Sequence, residues 1–187
     1  DGKAHRITIV YKKDDEDHAG SDKGYVLIPK GDNENIEEVV GTYSLVLTTT
    51  TYGWKKSTNV TNPDASLYDG VYESTNAGID SSYSTMYIDI NGYKNFTVYI
   101  RSYAESNYDY VMISELDKTI TGSTDYSNSS LVKDHTRGTQ NSSSSINGYK
   151  AVQFTDIDGG SHRITVIYKK DGSDGSGTDK GYLLIPY

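Results

Sequence analysis

The chain contains no cysteine, and in its 187 residues there are only three prolines, one tryptophan and two phenylalanines. Without cysteine there can be no disulfide and no thiolate metal site, although a domain of this size can stand without bridges in any redox compartment. Positive charge is also scarce. Lys and Arg number 18 against 26 Asp and Glu, a net charge of −8, and this argues against a nucleic-acid partner, because phosphate backbones are held by clustered cations. No apolar run approaches the roughly 20 residues that carry a helix across a bilayer, so membrane insertion is not expected. Sustained helical periodicity is missing as well.

What is present instead is tyrosine, which supplies 18 of the 21 aromatic residues, set among abundant Ser, Thr, Asn and Gly. A polar surface rich in flat rings suits stacking on sugars or packing against another copy of itself; it also suits a plain exposed sheet, where tyrosine is a good strand former.

One stretch occurs twice. Residues 1–30 and 158–187 align without a gap at an offset of 157, with 19 of 30 positions identical. Ile9/Val166, Val10/Ile167 and Val26/Leu183 exchange one apolar strand former for another, while His5/His162 and Tyr25/Tyr182 are fixed. The spacing implies a tandem array. We read residues 1–30 as the terminal hairpin of a preceding repeat and residues 31–187 as one complete repeat, with the surplus hairpin expected to cover its apolar face against the body or a second molecule.

Period-two alternation runs through the rest. Met86, Ile88 and Ile90 alternate with polar neighbours, Asn91-Gly92 reads as a turn, and Phe96, Val98 and Ile100 follow as a strand paired to the first. Tyr43–Thr50, Tyr108–Leu116, Tyr149–Thr155 and two strands within 158–187 complete the set, with short elements near Gly70–Glu73 and Ser130–Lys133. Long polar connections separate them. The pattern predicts an all-β fold, an antiparallel β-sandwich of jelly-roll type with long polar loops.

Two stretches carry candidate chemistry. Residues 101–110 (RSYAESNYDY) gather Arg101, Glu105 and Asp109 with Tyr103, Tyr108 and Tyr110, combining planar hydrogen-bonding groups with flat rings as a sugar site requires; outward Tyr87 and Tyr99 could extend that platform. The alternative is a loop locked by Arg101 pairing with Glu105 or Asp109. The second stretch is the acidic loop with Asp171, Asp174 and Asp179, matched by Asp14, Asp17 and Asp22 in the first copy. Carboxylates among glycines suit a hard cation such as Ca²⁺, but a solvated loop whose aspartates cap turns accounts for them equally. No other cofactor is indicated. Catalysis is not expected either: no spacing singles out a facing pair among Glu73, Glu105, Asp109 and Glu115, and the four histidines lack partners at recognisable spacing.

The segments YIRSYAESNYDYVMISELD and HRITVIYKKDGSDGSGTDKGYLLIPY resemble a tandem-repeat β-sandwich domain of large surface or phage virion proteins of gut Bacteroidetes. The resemblance covers most of residues 68–187 and rests on scaffold-like motifs. It implies an extracellular, cell-surface or virion location, and no catalytic residues to carry over. Two functions fit. One is an adhesive, non-catalytic module contacting carbohydrate through its tyrosine-rich loops. The other is a purely structural repeat, a spacer or filament subunit, contacting neighbouring copies of itself.

Overall fold

The computed structural model describes residues 41–47, 51–138, 148–173 and 178–186. The chain divides into two units, 1–38 and 39–187, and every described residue belongs to the second. The repeated segment 1–30, and Asp174 in the acidic loop, lie outside the described residues. Among the described residues ten strands are formed: β1 (Thr42–Val46), β2 (Trp54–Lys56), β3 (Tyr68–Ser74), β4 (Tyr83–Asn91), β5 (Phe96–Tyr103), β6 (Tyr110–Ser114), β7 (Val132–Arg137), β8 (Lys150–Phe154), β9 (Ser161–Lys169) and β10 (Lys180–Pro186). They build two five-stranded sheets, in the orders β1-β4-β9-β6-β7 and β2-β3-β10-β5-β8. Every pairing is antiparallel. The architecture is the expected all-β sandwich, with no α-helix among the described residues.

Alternation decides the core. Met86, Ile88 and Ile90 of β4 and Ile164, Val166 and Tyr168 of β9 turn inward from the first sheet. Phe96, Val98 and Ile100 of β5, Leu183 and Ile185 of β10 and Val152 and Phe154 of β8 face them from the second, and all are buried. Truncating any of these aliphatic side chains to Ala should cost about 2–5 kcal/mol, the sum of lost transfer energy and a residual cavity. Trp54, which stands in a polar stretch of sequence, is also in this core at 2% exposure, its indole N–H donating to the Ser84 carbonyl at 3.2 Å.

Two expected hairpins are instead arches between sheets. Asn91-Gly92 does turn the chain, with Gly92 at φ 83°, a conformation glycine adopts without penalty. However, β4 lies in the first sheet and β5 in the second, so the two strands face each other across the core rather than pair. The same holds within residues 158–187, where β9 pairs with β4 and β6 while β10 pairs with β3 and β5. Period two states which residues turn inward, and strands lying side by side or facing across about 10 Å satisfy it equally. Tyr87 and Tyr99 consequently lie in different sheets and share no platform.

Each sheet also carries a smaller apolar cluster on its outer face. On the second sheet Tyr68, Val71, Tyr149, Tyr182 and Leu184 pack together with Val60, Tyr99 and Tyr103. On the first, the connection between β6 and β7 lays Ile120 and Tyr126 over Met112, Ile167 and Val132.

Candidate functional site

The residues singled out in 101–110 are divided among three environments, because β5 belongs to the second sheet and β6 to the first, so the chain crosses the sandwich between them. Arg101 and Tyr103 point to the outer face of the second sheet. Arg101 is only 4% exposed, its guanidinium carbon 5.1 Å from the Tyr103 ring centroid and 5.8 Å from those of Tyr149 and Tyr182. Burial pushes the Tyr149 phenol up to about 12, against the opposing pull of the Arg101 charge. Next to this cluster Glu73, 1% exposed, accepts from Lys180 Nζ at 2.9 Å and Ser57 Oγ at 2.7 Å. Burial alone would raise the carboxyl, but these two partners outweigh it and hold Glu73 below its ordinary value. The tyrosines of this face are thus engaged with one another and with Arg101.

Asp109 is fully buried at one end of the sandwich. Its Oδ1 accepts from the Asp171 backbone N–H at 3.0 Å, and the Tyr168 hydroxyl sits 3.3 Å from its Oδ2 and 3.2 Å from Asp179 Oδ1. Burial, reinforced by Asp179, raises Asp109 to about 6. Lys170, whose side chain is wholly buried, lies 3.2 Å from Asp179 Oδ2, and the Gly78 N–H donates to the same oxygen at 2.9 Å. Desolvation works to lower the Lys170 ammonium, but Asp179 and Asp109 keep it raised. This is a closed ionic knot. Of the candidate cation ligands, Asp179 is committed to it, and Asp171 Oδ1 accepts from the Ser173 N–H at 3.0 Å. Among the described residues no group of three or more His, Asp or Glu side chains is arranged to hold a metal.

Glu105 and Tyr108 remain near the surface. Ser173 Oγ donates to Glu105 Oε2 at 3.2 Å, and Tyr108 is 56% exposed. Tyr110 belongs to the outer face of the first sheet, where it stacks on Tyr126 with ring centroids 4.8 Å apart and an interplanar angle of 21°. His135 lies tilted by 43° with its ring centroid 4.7 Å from that of Tyr126, and Arg137 donates to the Tyr126 hydroxyl at 2.9 Å with its guanidinium carbon 4.9 Å from the ring centroid. Beside these half-buried rings opens a cleft of about 310 Å³ lined by Tyr110, Met112, Ser123, Thr124, Asp125, Tyr126 and Lys169. An apolar floor, two rings, hydroxyls, a carboxylate and an ammonium converge there. Sequence reasoning identified Tyr110 and missed Tyr126. The available signal was the pair Asp125-x-Ser127 and Asn128-x-Ser130, whose side-chain oxygens accept from the backbone N–H two residues on at 2.8 and 3.2 Å, compact turns that can fix a ring in an otherwise polar connection.

A larger groove, about 470 Å³, crosses β1, β4 and the start of β9. Its polar groups are largely taken up by each other. Arg163 is bidentate to Asp89 at 2.6 and 2.8 Å and lies 4.8 Å over the Tyr87 ring. His162 is bridged between Asp117 (2.7 Å) and Asp158 (2.8 Å), and those contacts raise the imidazole above its usual value. The ring that lines this groove is Tyr43, which packs against the main core and Phe96.

No protein-family model matches the chain, and no curated protein matches it. Among solved structures, a family 29 carbohydrate binding module from Piromyces equi aligns over 79% of this chain and 90% of its own length, with 13% identity and a TM-score of 0.30.

Proposed function

We propose that this chain is a non-catalytic module, borne extracellularly or on a virion, that contacts carbohydrate through the Tyr110–Tyr126 cleft. The observation that supports the reading most directly is the convergence on one cleft of the half-buried Tyr110 and Tyr126, the apolar Met112 and the polar groups of Asp125, Lys169 and Ser123, because a sugar presents an apolar ring face and a hydroxyl edge together. Tyr108 and Glu105 are accessible at the surface and could contribute further contacts. Arg101, Tyr103 and Asp109 then act as scaffold. Asp109 and Asp179 are buried, and the exposed acids Asp117 and Asp158 are bridged by His162. A glycan array probed with the full chain tests the proposal. Specific binding that disappears in Tyr126→Ala supports it; an array blank for the wild-type chain removes it.

A second reading, a structural repeat contacting its own copies, is favoured by the gapless recurrence of residues 1–30 at 158–187.

A further inference from the structure

β9 and β10 are the middle strands of their respective sheets, and each is paired on both sides. No other consecutive pair of strands holds both central positions. A segment able to fill those positions must satisfy three demands: apolar residues of the right size facing the core, the buried ionic knot, and a glycine where two chains approach closely.

Residues 1–30 carry a sequence that meets all three. Ile7 corresponds to Ile164, Tyr11 to Tyr168 and Ile28 to Ile185. Eleven of the 30 positions differ, and only three of these fall on buried apolar positions: Ile9 for Val166, Val10 for Ile167 and Val26 for Leu183. One adds a methylene and two remove one, a change that cores absorb readily. Lys13 and Asp22 stand where Lys170 and Asp179 make the buried ion pair. Gly24 stands where Gly181 sits, and a Cβ at that position would lie 2.8 Å from both Tyr168 Cβ and Val111 Cγ2. Most of the other differences lie in the connection between the two strands or just before the first.

We propose that residues 1–30 of one copy can take the place of β9 and β10 in a second copy, linking molecules head to tail. The inference rests on the structural-repeat reading and deepens it by naming the joining element. The contact is heterologous, since the donated segment and the accepting slot are different surfaces, so it propagates into open chains rather than closing as a symmetric dimer. Its chemistry is strand addition, with main-chain ladders on both edges of each donated strand and side-chain pockets for specificity.

The test uses the full chain, unfolded in denaturant and refolded at low and high protein concentration, with mass measured by size exclusion and light scattering. The expected result is monomer at low concentration and a ladder of oligomers at high concentration. The variant Ile7→Asp/Ile9→Asp, which leaves residues 39–187 untouched, should refold to monomer alone. A wild-type chain that stays monomeric at every concentration overturns the exchange. Oligomers that persist in the variant overturn it too, while leaving the structural-repeat reading standing. A second variant disables the chain's own arch: Ile164→Asp/Val166→Asp in the full chain should still show a cooperative unfolding transition, as an oligomer, because residues 1–30 of a neighbour fill the vacated slot. An unfolded chain, or a folded monomer, contradicts the proposal.

Discussion

On the outer face of the second sheet Tyr68, Tyr149 and Tyr182 are buried around or beside Arg101, with Tyr99 and Tyr103 half-buried at the margin, whereas on the first sheet Tyr110 and Tyr126, also half-buried, stack at the lip of an open cleft. The same residue type fills space in one place and is displayed in the other. What separates the two is the neighbouring chemistry. A buried guanidinium gains from several ring faces at once and must be enclosed to do so, while Asp125, Ser123 and Lys169 are polar groups that keep the second pair of rings beside water. Tyrosine content alone therefore says nothing about binding; the exposure of the ring and its partners decides.

If enclosure is what stabilises this molecule, the largest loss should come from the ionic knot between the sheets. Lys170→Ala leaves Asp179 and Asp109 buried without their cation, and stability measured by denaturant unfolding should fall by about 3–5 kcal/mol. Arg101→Ala comes next. It empties the centre of the closed tyrosine face and removes contacts with three rings, and the loss should be about 2–4 kcal/mol. An unchanged midpoint for that variant would mean the second face is not closed in solution.

Asp109 sharpens the comparison through pH. Its folded value, about 6, lies above the ordinary 3.8, so the native state holds this proton more tightly than the unfolded chain. The group's contribution is fully present below about pH 4 and is lost as pH rises through 6, to an extent of up to about 3 kcal/mol. Asp89, held down by its hydrogen bond from Arg163, acts in the opposite sense and at lower pH, contributing stability that is lost as the medium is acidified below the ordinary carboxylate range. Asp109→Asn should therefore flatten the stability profile between pH 4 and 6 and raise stability at pH 7 by about 1–2 kcal/mol, read from unfolding midpoints across that range.

Much of this was legible before any coordinates. The inward faces of β4, β5, β6 and β8 follow from alternation at Met86–Ile90, Phe96–Ile100, Val111–Ile113 and Val152–Phe154, because period two is a local property of the chain. Pairing was not legible. Whether Asn91-Gly92 joins strands side by side or across the core depends on non-local packing. The candidate site shared that fate: Arg101 and Tyr110 are nine residues apart in sequence, yet the crossing between sheets sends them to opposite outer faces. Trp54 and Glu73 stand among polar neighbours in sequence, and both are buried by strands that alternation marks only weakly.

The rings beside the open cleft carry the central claim, read by binding rather than by stability. Tyr126→Ala and Tyr99→Ala should be compared in one experiment, a titration of the full chain with the best glycan from the array, alongside thermal unfolding of each variant. The account predicts that Tyr126→Ala abolishes binding in a chain that still unfolds cooperatively, and that Tyr99→Ala binds as the wild type does. Binding that survives Tyr126→Ala and vanishes in a still-folded Tyr99→Ala would contradict it, placing the ligand on the outer face of the second sheet.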